Sequence, residues 1–124
     1  MSSTTLTNLD QTLFNELKNT TKIVIIDFWA TWCPPCKVMG PIFEGFEKDT
    51  DFADYEIVQC DVDNNPEVSD QFKISSIPTF SVVKFKGDGS FGLDTHKVGE
   101  VVGSMESLSF KKALLELAEK AKSM

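Results

Sequence analysis

The fold of this chain is decided by the stretch DFWATWCPPCK, residues 27–37. A run of β-branched residues, Ile23–Ile26, leads into it and is typical of a strand that is buried on both faces. After it, apolar residues recur at helical spacing and predict a helix over Pro35–Lys48. The two cysteines, Cys33 and Cys36, are therefore expected at the junction between a buried strand and a helix.

This junction gives the first cysteine a special electrostatic environment. If Cys33 is the N-cap, its sulfur faces unpaired amides and the positive end of the helix dipole, which lowers the pKa of a thiol from about 8.5. Pro34 and Pro35 have no N–H, so the remaining close donor is the amide of Cys36. Cys36 is placed to attack the Cys33 sulfur once that sulfur is bonded to a substrate. The pair thus predicts dithiol–disulfide exchange.

Two other interpretations of the cysteine pair remain open. Half of a zinc site would need further ligands, and only Cys60 and His96 remain as soft partners, so no metal is predicted. An inert structural bridge would close a loop so short that it adds modest stability. The neighbouring tryptophan and prolines indicate an exposed, shaped surface instead.

Strands and helices alternate along the rest of the chain. Residues 86–92 are rich in glycine and polar side chains and predict a turn between two antiparallel strands. The chain is interpreted as one α/β domain over residues 1–124, with a parallel crossover first and an antiparallel hairpin last. The other predicted elements are an extended piece at Thr4–Thr7, a helix from Leu9 to Leu17 capped at Asn8 or Asp10, strands at Tyr55–Cys60, Thr79–Phe85 and Thr95–Val101, a short helix at Pro66–Phe72 and a C-terminal helix from Phe110 to Ala121.

Composition excludes several classes of function. The chain has 124 residues and a net charge of −7, so its field repels nucleic-acid backbones and anionic membranes. Its longest apolar run, Ile23–Phe28, is already broken by Asp27 and is far too short to span a bilayer, and Met1–Asp10 lacks the pattern of a secretory signal. Three cysteines do not make a secreted disulfide framework. A cytoplasmic monomer is expected.

The segment 27–37, together with Pro41, Ile77–Thr79 and Val98–Gly99, resembles the thioredoxin family over nearly the whole chain. The resemblance implies a thioredoxin fold, a central mixed sheet flanked by about four helices. It also implies a protein disulfide reductase active in electron transport and cell redox homeostasis. The domain would hold no cofactor besides its redox-active Cys33–Cys36 disulfide, re-reduced by an NADPH-dependent thioredoxin reductase. Implied substrates are peroxiredoxins, methionine sulfoxide reductases and ribonucleotide reductase.

Asp27 is the third residue of the expected chemistry. A carboxylate inside a buried strand is costly to ionise, so its pKa should be raised toward neutrality. The resemblance assigns this position to the deprotonation of Cys36, directly or through water. A lysine that many relatives carry near this aspartate appears here as Gln59, so the balance of the Asp27 charge stays open. The alternative is a strand residue bonded to local amides.

The resemblance also implies a substrate-binding surface around the first cysteine. Ile77 and Pro78 resemble a cis-proline loop, and the backbone of Ile77 would pair with an extended substrate segment. Trp32, Val98 and Gly99 would complete the apolar patch, because glycine allows close backbone approach. The alternatives are a packed aromatic and a turn glycine.

The remaining candidates are given structural roles. Trp29 is expected to pack behind the site, and Pro41 to interrupt the second helix. Cys60 should be a buried strand cysteine and His96 a solvated surface histidine. The Pro34–Pro35 pair stiffens the turn between the cysteines. That pair also occurs in tryparedoxins and nucleoredoxins, so a dithiol carrier of that kind is one alternative, and a binding module with incidental cysteines is another.

Overall fold

The strand that carries Asp27 lies at the centre of a five-stranded sheet. The computed structural model describes residues 6–124, so the extended piece predicted at Thr4–Thr7 falls partly outside the described residues. Short 3₁₀ turns at Phe46–Lys48 and Thr50–Phe52 follow the second helix. The other elements, in chain order, are β1 (Thr7–Asn8), α1 (Gln11–Leu17), β2 (Ile23–Trp29), α2 (Pro34–Gly45), β3 (Glu56–Asp61), α3 (Pro66–Gln71), β4 (Thr79–Lys84), α4 (Leu93–His96), β5 (Lys97–Val102) and α5 (Ser107–Lys122).

The sheet has the strand order β1-β3-β2-β4-β5 and is mixed, as predicted. Strand β2 runs parallel to β3, where Asp27 pairs with Gln59, and antiparallel to β4, where Asp27 pairs with Phe80. Strand β5 pairs antiparallel with β4 and closes the hairpin. The crossover from β2 through α2 to β3 therefore places the carboxyl ends of β2 and β3 at the same edge of the sheet.

Helices cover both faces of the sheet because β2 alternates its side chains between two cores. Ile25 packs with Phe43 of α2 and Phe110 of α5 on one face. Val24, Ile26 and Phe28 pack on the other face, with residues of α1 and α3. In residues 6–124, four helices thus flank the sheet, the number expected, while α4 is a single turn. Asp27 shares the odd-numbered face of β2, so its carboxyl side faces α2.

Helix α2 begins at the cysteines but ends earlier than predicted. Its N-cap is Cys33, and Pro34 and Pro35 occupy its first positions, where a missing N–H leaves no bond unmade. Pro41 lies inside it, as expected. The α-helix ends at Gly45 rather than Lys48, because the last three residues of the predicted range tighten into a 3₁₀ turn. Among residues 6–124, no helix is long and apolar enough to cross a membrane.

The prediction for His96 was wrong, and so was the start of the last strand. Residues Leu93–His96 form one helical turn, and β5 begins only at Lys97. His96 is 3% exposed, accepts the Gly92 N–H at Nδ1 over 3.0 Å, and stacks on Phe91 with 5.6 Å between ring centroids. The physical reason is Phe91, an apolar ring in an otherwise polar turn. Phe91 packs against Phe14 and Phe72 in the core on the face of the sheet that α1 and α3 cover. The residues that follow Phe91 therefore lie close to this core, and His96 is buried against the Phe91 ring.

Candidate active site

The cysteine pair is joined as a disulfide at the beginning of α2. The Cα atoms of Cys33 and Cys36 are 5.3 Å apart, and the N–H of Cys36 donates to the Cys33 Sγ over 3.3 Å. This is the single amide that the two prolines leave available, as the sequence predicted. The Cys33 sulfur therefore receives both a hydrogen bond and the field of the helix N-terminus, and each stabilises a thiolate when the bond is reduced.

The surface around the cysteines is shaped mainly by Trp32. Its side chain is 64% exposed, whereas Cys33 is 3% exposed, so the exposed surface expected here belongs to the tryptophan rather than to the sulfur. The indole Nε1 of Trp32 donates to Asp63 Oδ2 over 2.7 Å. Asp63 was not among the site residues predicted from the sequence. The chain topology could have indicated it, because Asp63 follows the end of β3 and parallel strands end at the same edge of the sheet.

A second loop lies against the cysteines from β4. The peptide bond between Ile77 and Pro78 is cis, which confirms the expectation from the resemblance. The carbonyl oxygen of Ile77 lies 3.8 Å from the Cys33 Sγ. Ile77 also packs beside Cys33 and Cys36 in a small apolar cluster. The loop thus forms one wall of the site, where its backbone is close to the reactive sulfur.

Val98 and Gly99 were predicted beside this loop, and the structure places them elsewhere. Gly99 pairs with Val82, well along the β4–β5 ladder from Pro78. A Cβ on Gly99 would lie 2.6 Å from Leu117 Cδ2, so this glycine makes room for helix α5. Val98 packs against the core on the same side. Neither residue is part of the surface around the cysteines.

The Val-Gly pair that does reach the loop is the next one along the chain, Val102 and Gly103. Val102 pairs with Thr79, and the N–H of Gly103 donates to the carbonyl oxygen of Pro78 over 2.8 Å. Gly103 has a φ of 86°, a left-handed conformation that favours glycine. Val102 is 51% exposed. It replaces Val98 in the apolar surface around the site.

Asp27 is buried, and its carboxyl group is held without a cation. It is 1% exposed, and burial raises its pKa to about 7, opposed by the Gln59 hydrogen bond and assisted by the negative charge of Glu44. Gln59 Nε2 lies 3.4 Å from Asp27 Oδ2, while Oδ1 is buried and unpartnered among the described atoms. The open question about its charge is answered by an amide, not by an ion pair. The raised pKa matches the prediction.

Asp27 and Cys36 line the same cleft. The cleft has a volume of about 460 Å³ between β2, β3 and α2. Trp29 lies on its wall with a buried Nε1 that has no partner among the described residues, in agreement with a position behind the site. Because Asp27 has a pKa of about 7 and shares this cleft with Cys36, its carboxyl group can accept a proton from the cysteine at neutral pH. Its other lining residues are Ala30, Thr31, Lys37, Gly40, Pro41, Glu44 and Gln59.

Cys60 lies apart from this chemistry. It is fully buried in β3 and is a free thiol, as predicted. Burial raises its pKa to about 12, and the nearby charges of Asp61, Glu67 and Asp27 add to the effect. A thiol of this kind is not nucleophilic at neutral pH. Within residues 6–124, no three His, Cys, Asp or Glu side chains are grouped to hold a metal ion.

Comparison with known proteins agrees with this arrangement. The Thioredoxin family model matches residues 4–115. A thioredoxin of Coprinus comatus is 42% identical over 99 residues, which cover 80% of this chain and 83% of that protein. Solved thioredoxins of Malassezia sympodialis and Plasmodium falciparum superpose with TM-scores of 0.72 and 0.69 at 28% and 30% identity. They cover 98% and 90% of this chain, and 95% and 97% of their own.

The cysteine site and the overall fold both agree with these matches. The disulfide of Cys33 and Cys36 occupies the Trp-Cys-Pro-Pro-Cys position at the start of α2, and the mixed sheet with its flanking helices is the thioredoxin fold. Thioredoxins work without a bound cofactor, so the redox centre is the cysteine pair itself. The chain belongs to the thioredoxin family and is a thioredoxin-type disulfide oxidoreductase.

Proposed function

We propose that this thioredoxin reduces disulfides in partner proteins, with Cys33 as the nucleophile, Cys36 as the resolving cysteine and Asp27 as the proton acceptor. The observation that carries the proposal is the hydrogen bond from the Cys36 N–H to the Cys33 sulfur at a helix N-terminus. It singles out Cys33 as the sulfur whose thiolate the protein stabilises.

Electrons and protons balance in two steps. The Cys33 thiolate attacks one sulfur of the substrate disulfide, the substrate S–S bond breaks, and the departing thiolate takes a proton from solvent. Cys36 then transfers its proton to Asp27 and attacks the Cys33 sulfur. The Cys33–Cys36 bond forms, the bond between Cys33 and the substrate breaks, and the second substrate sulfur leaves as a thiolate that takes a proton from solvent, while Asp27 returns its proton to solvent. Two electrons have passed from the cysteine pair to the substrate.

The surface that meets the substrate is formed by Trp32, Ile77, Pro78 and Val102. Trp32 and Val102 are the exposed apolar side chains of this set, and the carbonyl of Ile77 is the nearest backbone group to the Cys33 sulfur. An extended substrate segment would lie against that backbone, as in β-strand addition. The net charge of −7 favours encounter with partners that carry basic patches.

Two substitutions on β5 test where this surface lies. Val102→Asp is expected to raise KM for a protein disulfide by about five- to tenfold, because one apolar contact worth on the order of 1 kcal/mol becomes a charge. Gly99→Ala is the matched control, since its methyl group would press on Leu117 and lower the free energy of unfolding by about 1–2 kcal/mol without changing KM. Steady-state kinetics and urea unfolding measure both. If KM changed in Gly99→Ala and not in Val102→Asp, the substrate-binding surface would include Val98 and Gly99 rather than Val102.

The electron donor and the partners follow from the family. We propose re-reduction by an NADPH-dependent thioredoxin reductase and location in the cytoplasm. Peroxiredoxins, methionine sulfoxide reductases and ribonucleotide reductase are the proposed substrates. Support for the first class comes from a matched structure, 28% identical with a TM-score of 0.67, from work on the thiol resolving mechanism in yeast mitochondrial 1-Cys peroxiredoxin via glutathione/thioredoxin systems.

The donor is tested by comparing two reductants. With NADPH and a thioredoxin reductase, the protein is expected to turn over repeatedly on insulin, a substrate with interchain disulfides, and to follow Michaelis–Menten kinetics in the thioredoxin concentration. A low-molecular-weight dithiol in place of the reductase serves as the comparison. Turnover with the dithiol and none with the reductase would favour a tryparedoxin-like or nucleoredoxin-like carrier, a reading that the Pro34–Pro35 pair allows.

A further inference from the structure

The side chain of Gln59 is shared between two carboxyl groups. Its Nε2 lies 3.4 Å from Asp27 Oδ2 and 3.4 Å from Glu44 Oε2. A primary amide has two N–H bonds, so it can serve one carboxyl with each. The oxygens of Asp27 and Glu44 are therefore within twice that distance of each other, across a cleft between β2 and α2.

Within the part of the chain that the structure describes, neither carboxyl group forms an ion pair with a lysine. The charged or titratable groups that line the cleft with Asp27 are Glu44, Cys36 and Lys37 of α2, and Cys60 of β3 lies near Asp27 on the other face of the sheet. Within residues 6–124, Lys37 is the one cation on the lining of the cleft, and it forms no ion pair with Asp27 or Glu44. The carboxyl groups of Asp27 and Glu44 thus lie on either side of the neutral Gln59 amide. Because like charges repel, this arrangement disfavours ionisation of Asp27, the more deeply buried of the two.

We propose that Glu44 is a positioning residue for the disulfide exchange, acting on Asp27 through the charge it carries and the amide they share at Gln59. This inference rests on the proposed role of Asp27 as the proton acceptor for Cys36. It assigns to Glu44 and Gln59 opposite effects on that role. The carboxylate of Glu44 favours the neutral form of Asp27, and the N–H of Gln59 favours the charged form.

The geometry also identifies the oxygen that takes the proton. Oδ2 of Asp27 accepts from Gln59, whereas Oδ1 is buried with no partner among the described atoms. A carboxylic acid protonated at Oδ1 keeps the Gln59 hydrogen bond intact. Proton uptake by Asp27 therefore leaves the amide in place between the two carboxyl groups, so that the influence of Glu44 persists through the reaction.

The test is a titration of Asp27 in two variants that should move in opposite directions. Glu44→Gln removes the like charge with little change of shape, and the titration midpoint of Asp27 is expected to fall by about one pH unit. Gln59→Met removes the donor, and the midpoint is expected to rise. The carboxyl ¹³C resonance of Asp27 reports the midpoint directly in the full chain. The pH profile of insulin reduction should move in the same directions.

A matched control separates the local effect from net charge. Glu16→Gln, in α1, makes the same change of charge on another helix and should leave the Asp27 midpoint in place. If Glu44→Gln behaves like Glu16→Gln, or if both cleft variants move the midpoint the same way, the proposal is overturned while the role of Asp27 stands. Asp27→Asn distinguishes the two failures. An unchanged rate of insulin reduction in that variant would refute the proposed role of Asp27 as proton acceptor. The role of Glu44, which depends on it, would be refuted as well.

Discussion

The Cys36→Ser variant is expected to accumulate as a covalent complex with its disulfide substrate, and its multiple-turnover rate should fall by on the order of a thousandfold. The reason is that Cys33 retains its place at the helix N-terminus and can still attack. A serine hydroxyl cannot displace the substrate sulfur, so the mixed disulfide persists. Non-reducing electrophoresis of the variant with insulin measures the adduct, and NADPH consumption with the reductase measures the rate.

The other two cysteines provide the controls for this experiment. Cys33→Ser should lose the same activity without accumulating an adduct, because the remaining sulfur at the site lacks the hydrogen bond and field of the N-cap. Cys60→Ser should retain activity, since its buried thiol has a pKa of about 12. Release of reduced substrate at the normal rate by Cys36→Ser would refute the two-cysteine mechanism. Full activity in the Cys33→Ser, Cys36→Ser double variant would favour the binding module.

Asp27→Asn is expected to stabilise the protein at alkaline pH. The pKa of Asp27 is about 7 in the folded protein, against the ordinary aspartate value of 3.8, so the folded state binds its proton more tightly than the unfolded state does. The contribution of Asp27 to the free energy of unfolding is fully present below about pH 4 and is lost as the pH rises through 7. Above pH 7 the folded protein must carry a buried charge. A neutral asparagine removes that penalty, about 4 kcal/mol at pH 8.

Unfolding in guanidinium chloride at two pH values measures this effect. The gain in free energy of unfolding should be largest at pH 8 and less than half as large at pH 5, where most folded molecules already hold the proton. The same variant should reduce insulin more slowly at neutral pH, because it has no carboxylate to receive the Cys36 proton. Asp63→Asn is a suitable control for the unfolding measurement, since that carboxylate lies at the exposed indole of Trp32. An equal gain at both pH values would show that Asp27 is not the titrating group.

Much of this site was predictable because its signals are local. The buried strand, the helix that follows and the cysteine at their junction are encoded within residues 23–48, and each was found from spacing and residue type. The raised pKa of Asp27 also follows from its strand alone, because burial is its largest cause. Local patterns thus determine the reactive centre.

The errors concern pairings that depend on distant parts of the chain. Two Val-Gly pairs stand four residues apart along β5 and the residue after it, and only the register against β4 decides that Gly103, rather than Gly99, bonds to Pro78. That register includes an irregularity between Val82, which pairs with Gly99, and Val83, which pairs with Lys97. The partnership of Glu44 with Asp27 likewise needs the crossover that brings α2 over β2 and β3.

The most direct measurement of the central claim is peptide mapping by mass spectrometry of the complex formed by Cys36→Ser. The substrate is expected to be bonded to the peptide that contains Cys33, whose sulfur accepts the hydrogen bond from the helix N-terminal amide. An adduct on Cys60, or the absence of any adduct while substrate is still reduced, would contradict it.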